Sequence, residues 1–258
     1  MVGNGFLTAE NLNTELQKVF NNTKTVSENS NSYKYKMNKT YTINKDGSVE
    51  EYKSILPTSY QEVEYIQSTG TQYIDTNYMI NENFMYKIKF SIIDERTADR
   101  VWPILIGAGC LSDGSDGKGY TFGYNYKTNM IKNVVTYTQN DIYEMELKIG
   151  KIIYNGEEIS IPMSWNGNPC HSVCIFNWIT ADAGLHPYCY SIAKVYSVKI
   201  YNGDMLVRNF IPCYSTTTVT DANGTQKPAN TKGLYDTVEG KFYTNQGSGA
   251  DFTAGPNV

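Results

Sequence analysis

From Pro57 onward, apolar residues recur at every second position, and that alternation restricts most of this chain to sheets. Tyr86, Ile88, Phe90 and Ile92 share one face, with Lys87, Lys89 and Ser91 on the other. Met145, Leu147 and Ile149 alternate with Glu144, Glu146 and Lys148, and Tyr196, Val198 and Ile200 with Val195, Ser197 and Lys199. A period of two places one face in a core and the other toward water, as in antiparallel sheets packed face to face. Asn155-Gly156 and Asn202-Gly203 each stand between two such runs and predict two-residue hairpins. Glu239-Gly240 predicts a turn joining the last strand pair. The polar stretch 215–233 predicts a mobile loop. No helical pattern follows residue 55, and no internal repeat is evident. The expectation is an all-β domain over 55–258, a sandwich or jelly roll.

Residues 1–54 read differently and predict an attachment or oligomerisation arm. Leu12, Leu16, Val19 and Phe20 recur at the spacing of one helical face, behind Thr8 as N-cap. A helix of about three turns is marginal alone in water, so this stripe must pack on something. The polar run from Asn21 to Ser32 reads as a linker. Two short strand patterns then flank Lys45-Asp46-Gly47, a hairpin signal.

Composition excludes several functions. Net charge is −4 over 258 residues, with no basic stripe, which argues against a nucleic-acid partner. No apolar run approaches ~18 residues, so no membrane-spanning helix is expected. The first twelve residues have no basic segment followed by an apolar one, which predicts no secretory signal. The 22 tyrosines suit strands that are half buried and half wet. Five cysteines, Cys110, Cys170, Cys174, Cys189 and Cys213, imply no disulfide framework. Cys170, His171 and Cys174 lack the four clustered ligands of a structural zinc site, so buried thiols are expected and no metal is assigned.

Three long stretches carry a family resemblance: LPTSYQEVEYIQSTGTQYIDTNY (56–78), KVYSVKIYNGDMLVRNFIPCY (194–214) and GLYDTVEGKFYTNQGSGADFTAG (233–255). They resemble the opening and closing signatures of concanavalin A-like (laminin G-like) domains in phage and prophage virion proteins of gut bacteria. The resemblance covers about 55–258. It implies an antiparallel concanavalin A-like β-sandwich, a jelly roll, with the helix-plus-hairpin arm ahead of it.

Members of that family bind carbohydrate, hydrolyse glycans or build virions, so fold alone does not choose among them. The glucanase branch carries three acids on one strand. Here Glu62/Glu64 and Glu144/Glu146 supply only two each and read as solvent faces, so a non-catalytic protein is expected. For carbohydrate, Trp165 and Asn166 form an aromatic-polar loop, and Tyr124 and Tyr126, with Tyr120, line a strand face. Core packing explains these residues as well. The loop DGSDGKG (113–119) carries the oxygen ligands of a calcium site, but a plain turn fits it too, and no cofactor is assigned.

The resemblance implies a virion structural protein: a head fibre, capsid decoration or tail-fibre-like subunit, assembled in the host cytoplasm. Its arm would join other virion proteins as a homo-oligomer, a trimer by analogy. Its sandwich would face host or mucosal glycans. The alternative is a bacterial surface carbohydrate-binding module; a glycan hydrolase ranks below both.

Overall fold

The computed structural model describes residues 41–43, 49–51, 54–94, 103–110, 118–123, 137–165, 167, 169, 171–180, 184–185 and 189–258. The helical stripe of Leu12, Leu16, Val19 and Phe20 lies outside the described residues. The chain divides into two compact units, Met1–Ile55 with Val258, and Leu56–Asn257. In the first, Tyr41–Ile43 pairs antiparallel with Val49–Glu51, with Ile43 opposite Val49.

The second unit is all-β, and its described strands pair antiparallel throughout the sheets. Its main sheet has eleven strands. Eight follow in the order Glu157–Ser160, Lys151–Tyr154, Tyr143–Lys148, Phe84–Asp94, Ile192–Asn202, Met205–Ser215, Lys232–Asp236 and Lys241–Thr244. Tyr60–Glu62, Ile66–Gln67 and Thr253–Ala254 join off this path. A second sheet orders Ile74–Asp75, Cys174–Ile175, Ile104–Cys110 and Lys118–Gly123.

Both sheets bury side chains in one core. Tyr86, Ile88, Phe90, Met145, Leu147, Val198, Ile200 and Phe210 come from the main sheet, and Ile106, Ala108, Tyr120, Phe122 and Ile175 from the second. Each large apolar side chain buried this way contributes about 1.5–3 kcal/mol. On the second sheet Ala108 joins the shared core, and the next residue, Gly109, meets the Trp178 ring. Trp178, Ile104 and Cys189 form a separate small cluster, with the indole Nε1 donating to Cys189 Sγ at 3.2 Å.

Three expectations need correction. Tyr196 does not share the core row with Val198 and Ile200. Val195 pairs with Phe90 and Ser197 with Lys89, so Tyr196 is the extra residue of a β-bulge. The bulge moves Val195 into the core and leaves Tyr196 half-buried, edge-on to Tyr65 at 5.4 Å. The second hairpin closes at Asn202 opposite Met205, so its loop is Gly203-Asp204. The loop thus lies one residue later than expected, and the register of the two strands shifts at Val207.

Stretch 215–233 is not an open loop either. Val219–Thr220 pairs with Gln226–Lys227, and the buried Asp221 carboxylate accepts N–H groups of Asn223 (3.0 Å) and Thr225 (2.9 Å) and the Thr244 hydroxyl (2.9 Å). The Asn155-Gly156 turn forms as expected, between Tyr154 and Glu157, with φ of 48° and 86°.

The two ends of this unit close on each other. Ile66–Gln67 pairs with Thr253–Ala254, and Val63 bridges Asn257. The buried Gln72 amide joins them further: its Oε1 accepts from Ser68 Oγ (3.1 Å) and Thr69 N (2.9 Å), while its Nε2 donates to Ala250 O (2.9 Å). Gly249 sits so near Thr71 that a Cβ there would lie 1.9 Å from the Thr71 hydroxyl.

Candidate functional site

The main sheet buries one face in the core and keeps a row of charges on the other. Lys87 and Lys89 alternate with the buried Tyr86, Ile88 and Phe90. Across the sheet, Lys87 stands directly opposite Glu146 and Lys89 opposite Glu144. The Lys87–Glu146 pair closes to 2.5 Å, while Lys89–Glu144 is looser at 3.7 Å. On its other side Lys87 stands opposite Lys199, and Lys89 opposite Ser197.

These residues line a groove of about 340 Å³ on the sheet face. Ser197 supplies a small side chain between the longer lysines. Ile153 and Gly156 complete the lining, because the Asn155-Gly156 hairpin tip folds beside Glu144. Asn155 Oδ1 accepts the Glu144 N–H at 3.1 Å, and the Asn155 N–H donates to the Glu144 carbonyl at 2.9 Å. Tyr201 lies beside the groove, with Lys87 Nζ 5.8 Å from its ring centre. The volume falls at the low end for small-ligand sites. Glu146 is taken up closely by the lysine opposite it and Glu144 only loosely. Two carboxyls flanking a bond with opposed roles are the pattern of glycoside hydrolysis, and here both glutamates face lysines.

A second polar cluster has a structural character. Arg208, which is buried, places Nη2 2.7 Å from Glu239 Oε1 and Nε 3.4 Å from Asp236 Oδ2. The Tyr78 ring lies 5.0 Å from the guanidinium. Asp236 Oδ1 accepts the N–H groups of Asn209 (2.9 Å) and Val238 (3.0 Å), and the Tyr243 hydroxyl donates to Glu239 Oε2 (2.8 Å). Burial alone would raise the Glu239 carboxyl. The Tyr243 hydrogen bond, the Arg208 charge and Lys241 outweigh it and hold the carboxyl below its ordinary value. These contacts lock the Met205–Ser215 strand to the turn after Asp236.

Of the residues singled out in the sequence, Trp165 is half-buried and packs on the core. One of its faces stacks on Tyr120 at 4.5 Å between ring centres. Tyr120 itself is a core residue, not a strand-face tyrosine, and its hydroxyl donates to Gly167 O at 2.9 Å. Asn166, Tyr124, Tyr126, Cys170 and residues 113–117 lie outside the described residues. Cys174, Cys189 and Cys213 are buried, and burial pushes the Cys213 thiol up, which keeps it protonated and unreactive at neutral pH.

No protein-family model, curated protein or solved structure matches this chain.

The groove was missed because its members are scattered. Lys87, Glu146 and Lys199 occupy three strands far apart in sequence and meet only through register. The one signal was the run of same-face charges on each strand, which by itself reads as a solvated face.

Proposed function

We propose that this chain is a non-catalytic structural protein of a phage particle. In this reading it is a head fibre, capsid decoration or tail-fibre-like subunit that displays a concanavalin A-like, lectin-like sandwich to saccharides. The observation that carries the reading is the asymmetry of the main sheet. One face is packed into the core, and the other presents an open groove of lysines and glutamates, two pairs of them ion-paired, with Ser197 on one side. Trp165 is a poorer saccharide platform, since Tyr120 covers one face of its ring. The virion assignment rests on the resemblance of 56–78, 194–214 and 233–255. The motifs of that resemblance include the residues that close the unit on itself, Gln72 with Ala250 and Arg208 with Asp236 and Glu239.

Two measurements on the full chain and on a chain lacking residues 1–54 test the proposal. The full chain should be oligomeric in solution and be recovered with purified particles, and the shortened chain should be a folded monomer that is not. The sandwich should give hits on a glycan array. Equal incorporation of both chains, or of neither, with a blank array, would overturn it.

A further inference from the structure

The groove described above carries an imbalance of charge that its own residues do not resolve. Three lysines (87, 89 and 199) and two glutamates (144 and 146) line it, a local net of +1 on a chain whose total is −4. Lys199 is the residue left over. It is exposed, and among the described residues no carboxylate pairs with it. Its cross-strand neighbours are Lys87 on one side and Asn209 on the other. Like charges directly opposite in a sheet destabilise it. Here Glu146 answers Lys87 alone, because Lys87 draws it to 2.5 Å.

Position sharpens the point. Ser197, two residues before Lys199, leaves a gap beside Lys89, whose ammonium is only loosely held by Glu144 at 3.7 Å. The side chain of Glu144 is 73% exposed, so it can swing aside at little cost. A ligand lying in the groove would therefore meet an unanswered ammonium at Lys199 and a weakly answered one at Lys89. Ser197 stands opposite Lys89 and two residues before Lys199 on the same strand, and the Tyr201 ring lies beside Lys87. Hydroxyl, ammonium and aromatic groups together suit a polyhydroxylated ligand that also bears negative charge.

We propose that the groove binds an anionic saccharide, with Lys199 as the residue that reads the anion. This rests on the reading of the open sheet face as a saccharide surface and adds the chemical class of its ligand.

The test is titration of the full chain with three probes, followed by NMR and calorimetry: an oligogalacturonate, the same oligomer with its carboxyls methyl-esterified, and dextran sulfate. The oligogalacturonate should shift signals of Lys87, Ser197 and Lys199, and the neutral ester should bind at least about ten-fold more weakly. Lys199→Gln, at an exposed position, should fold normally and lose a similar factor toward the charged probe alone. Rising salt should weaken the charged probe and spare the ester, since salt screens the attraction between exposed charges. Binding of dextran sulfate in place of oligogalacturonate would support the same site and assign it to sulfate esters. Equal binding of the charged and esterified oligomers, unchanged in Lys199→Gln but abolished by Ser197→Phe, would overturn the anion inference and leave the saccharide surface intact. No groove shift with either anionic probe would also overturn it; a positive glycan array beside that result would leave the adhesion reading standing.

Discussion

At the scale of single residues, two polar side chains, the buried Gln72 and the exposed Glu239, hold more than their size suggests. Gln72 ties the turn at 68–70 to the Ala250 carbonyl with one amide. Its truncation leaves several partners unsatisfied, and each such loss costs about 1–3 kcal/mol. Gln72→Ala should therefore lower stability by about 2–4 kcal/mol, read as a fall in urea midpoint at unchanged slope. Glu239 acts through charge. Its folded carboxyl is held below the ordinary glutamate value of about 4.3. A depressed carboxyl contributes stability that is present above the unfolded value and lost as pH falls through the folded one. The urea midpoint should thus drop as pH is lowered beneath about 4.3. Glu239→Gln should be less stable than the parent at pH 7 and lose less on acidification. An acid response identical in parent and variant would refute the assignment.

At the scale of elements, strands and turns divide in how readily they can be read. The alternation in 86–90 and 145–149 names its buried face correctly, because a strand exposes that choice in its own residues, but it fails at Ser91, which is read as facing water and is buried. The Asn155-Gly156 turn is equally local: two positive φ values call for residues that tolerate them. Gly156→Ala should cost about 1–2 kcal/mol, measured by thermal unfolding, and should also disturb the groove wall. Tyr196 and Val207 could not be placed this way. Each stands out of register only because a partner strand fixes the count on either side. The groove has the same origin. Lys87, Glu146 and Lys199 each read as ordinary solvent-facing charges, and their sum has meaning only once three strands are aligned. For Trp165 the loop composition left platform and core packing both open, and the Tyr120 ring it stacks on is invisible in a local reading.

At the scale of the molecule, Leu56–Asn257 has its own core drawn from two sheets and its own closure between early and late segments. A chain beginning at residue 56 should therefore unfold in one cooperative transition, coincident by circular dichroism and tyrosine fluorescence. Separate transitions by the two probes would refute that independence. The closure also fixes how the unit responds to force. Val63 bridges Asn257, and Ile66–Gln67 pairs antiparallel with Thr253–Ala254. Tension between Leu56 and Asn257 would strip Tyr60–Glu62 from Met205–Ser215 and open the Val63–Asn257 bridge before it reached the 66–67 pair, so the seam peels open one link at a time. Tension between Leu56 and a ligand held near Lys199 would bypass that seam and pull across the long strands of the main sheet instead.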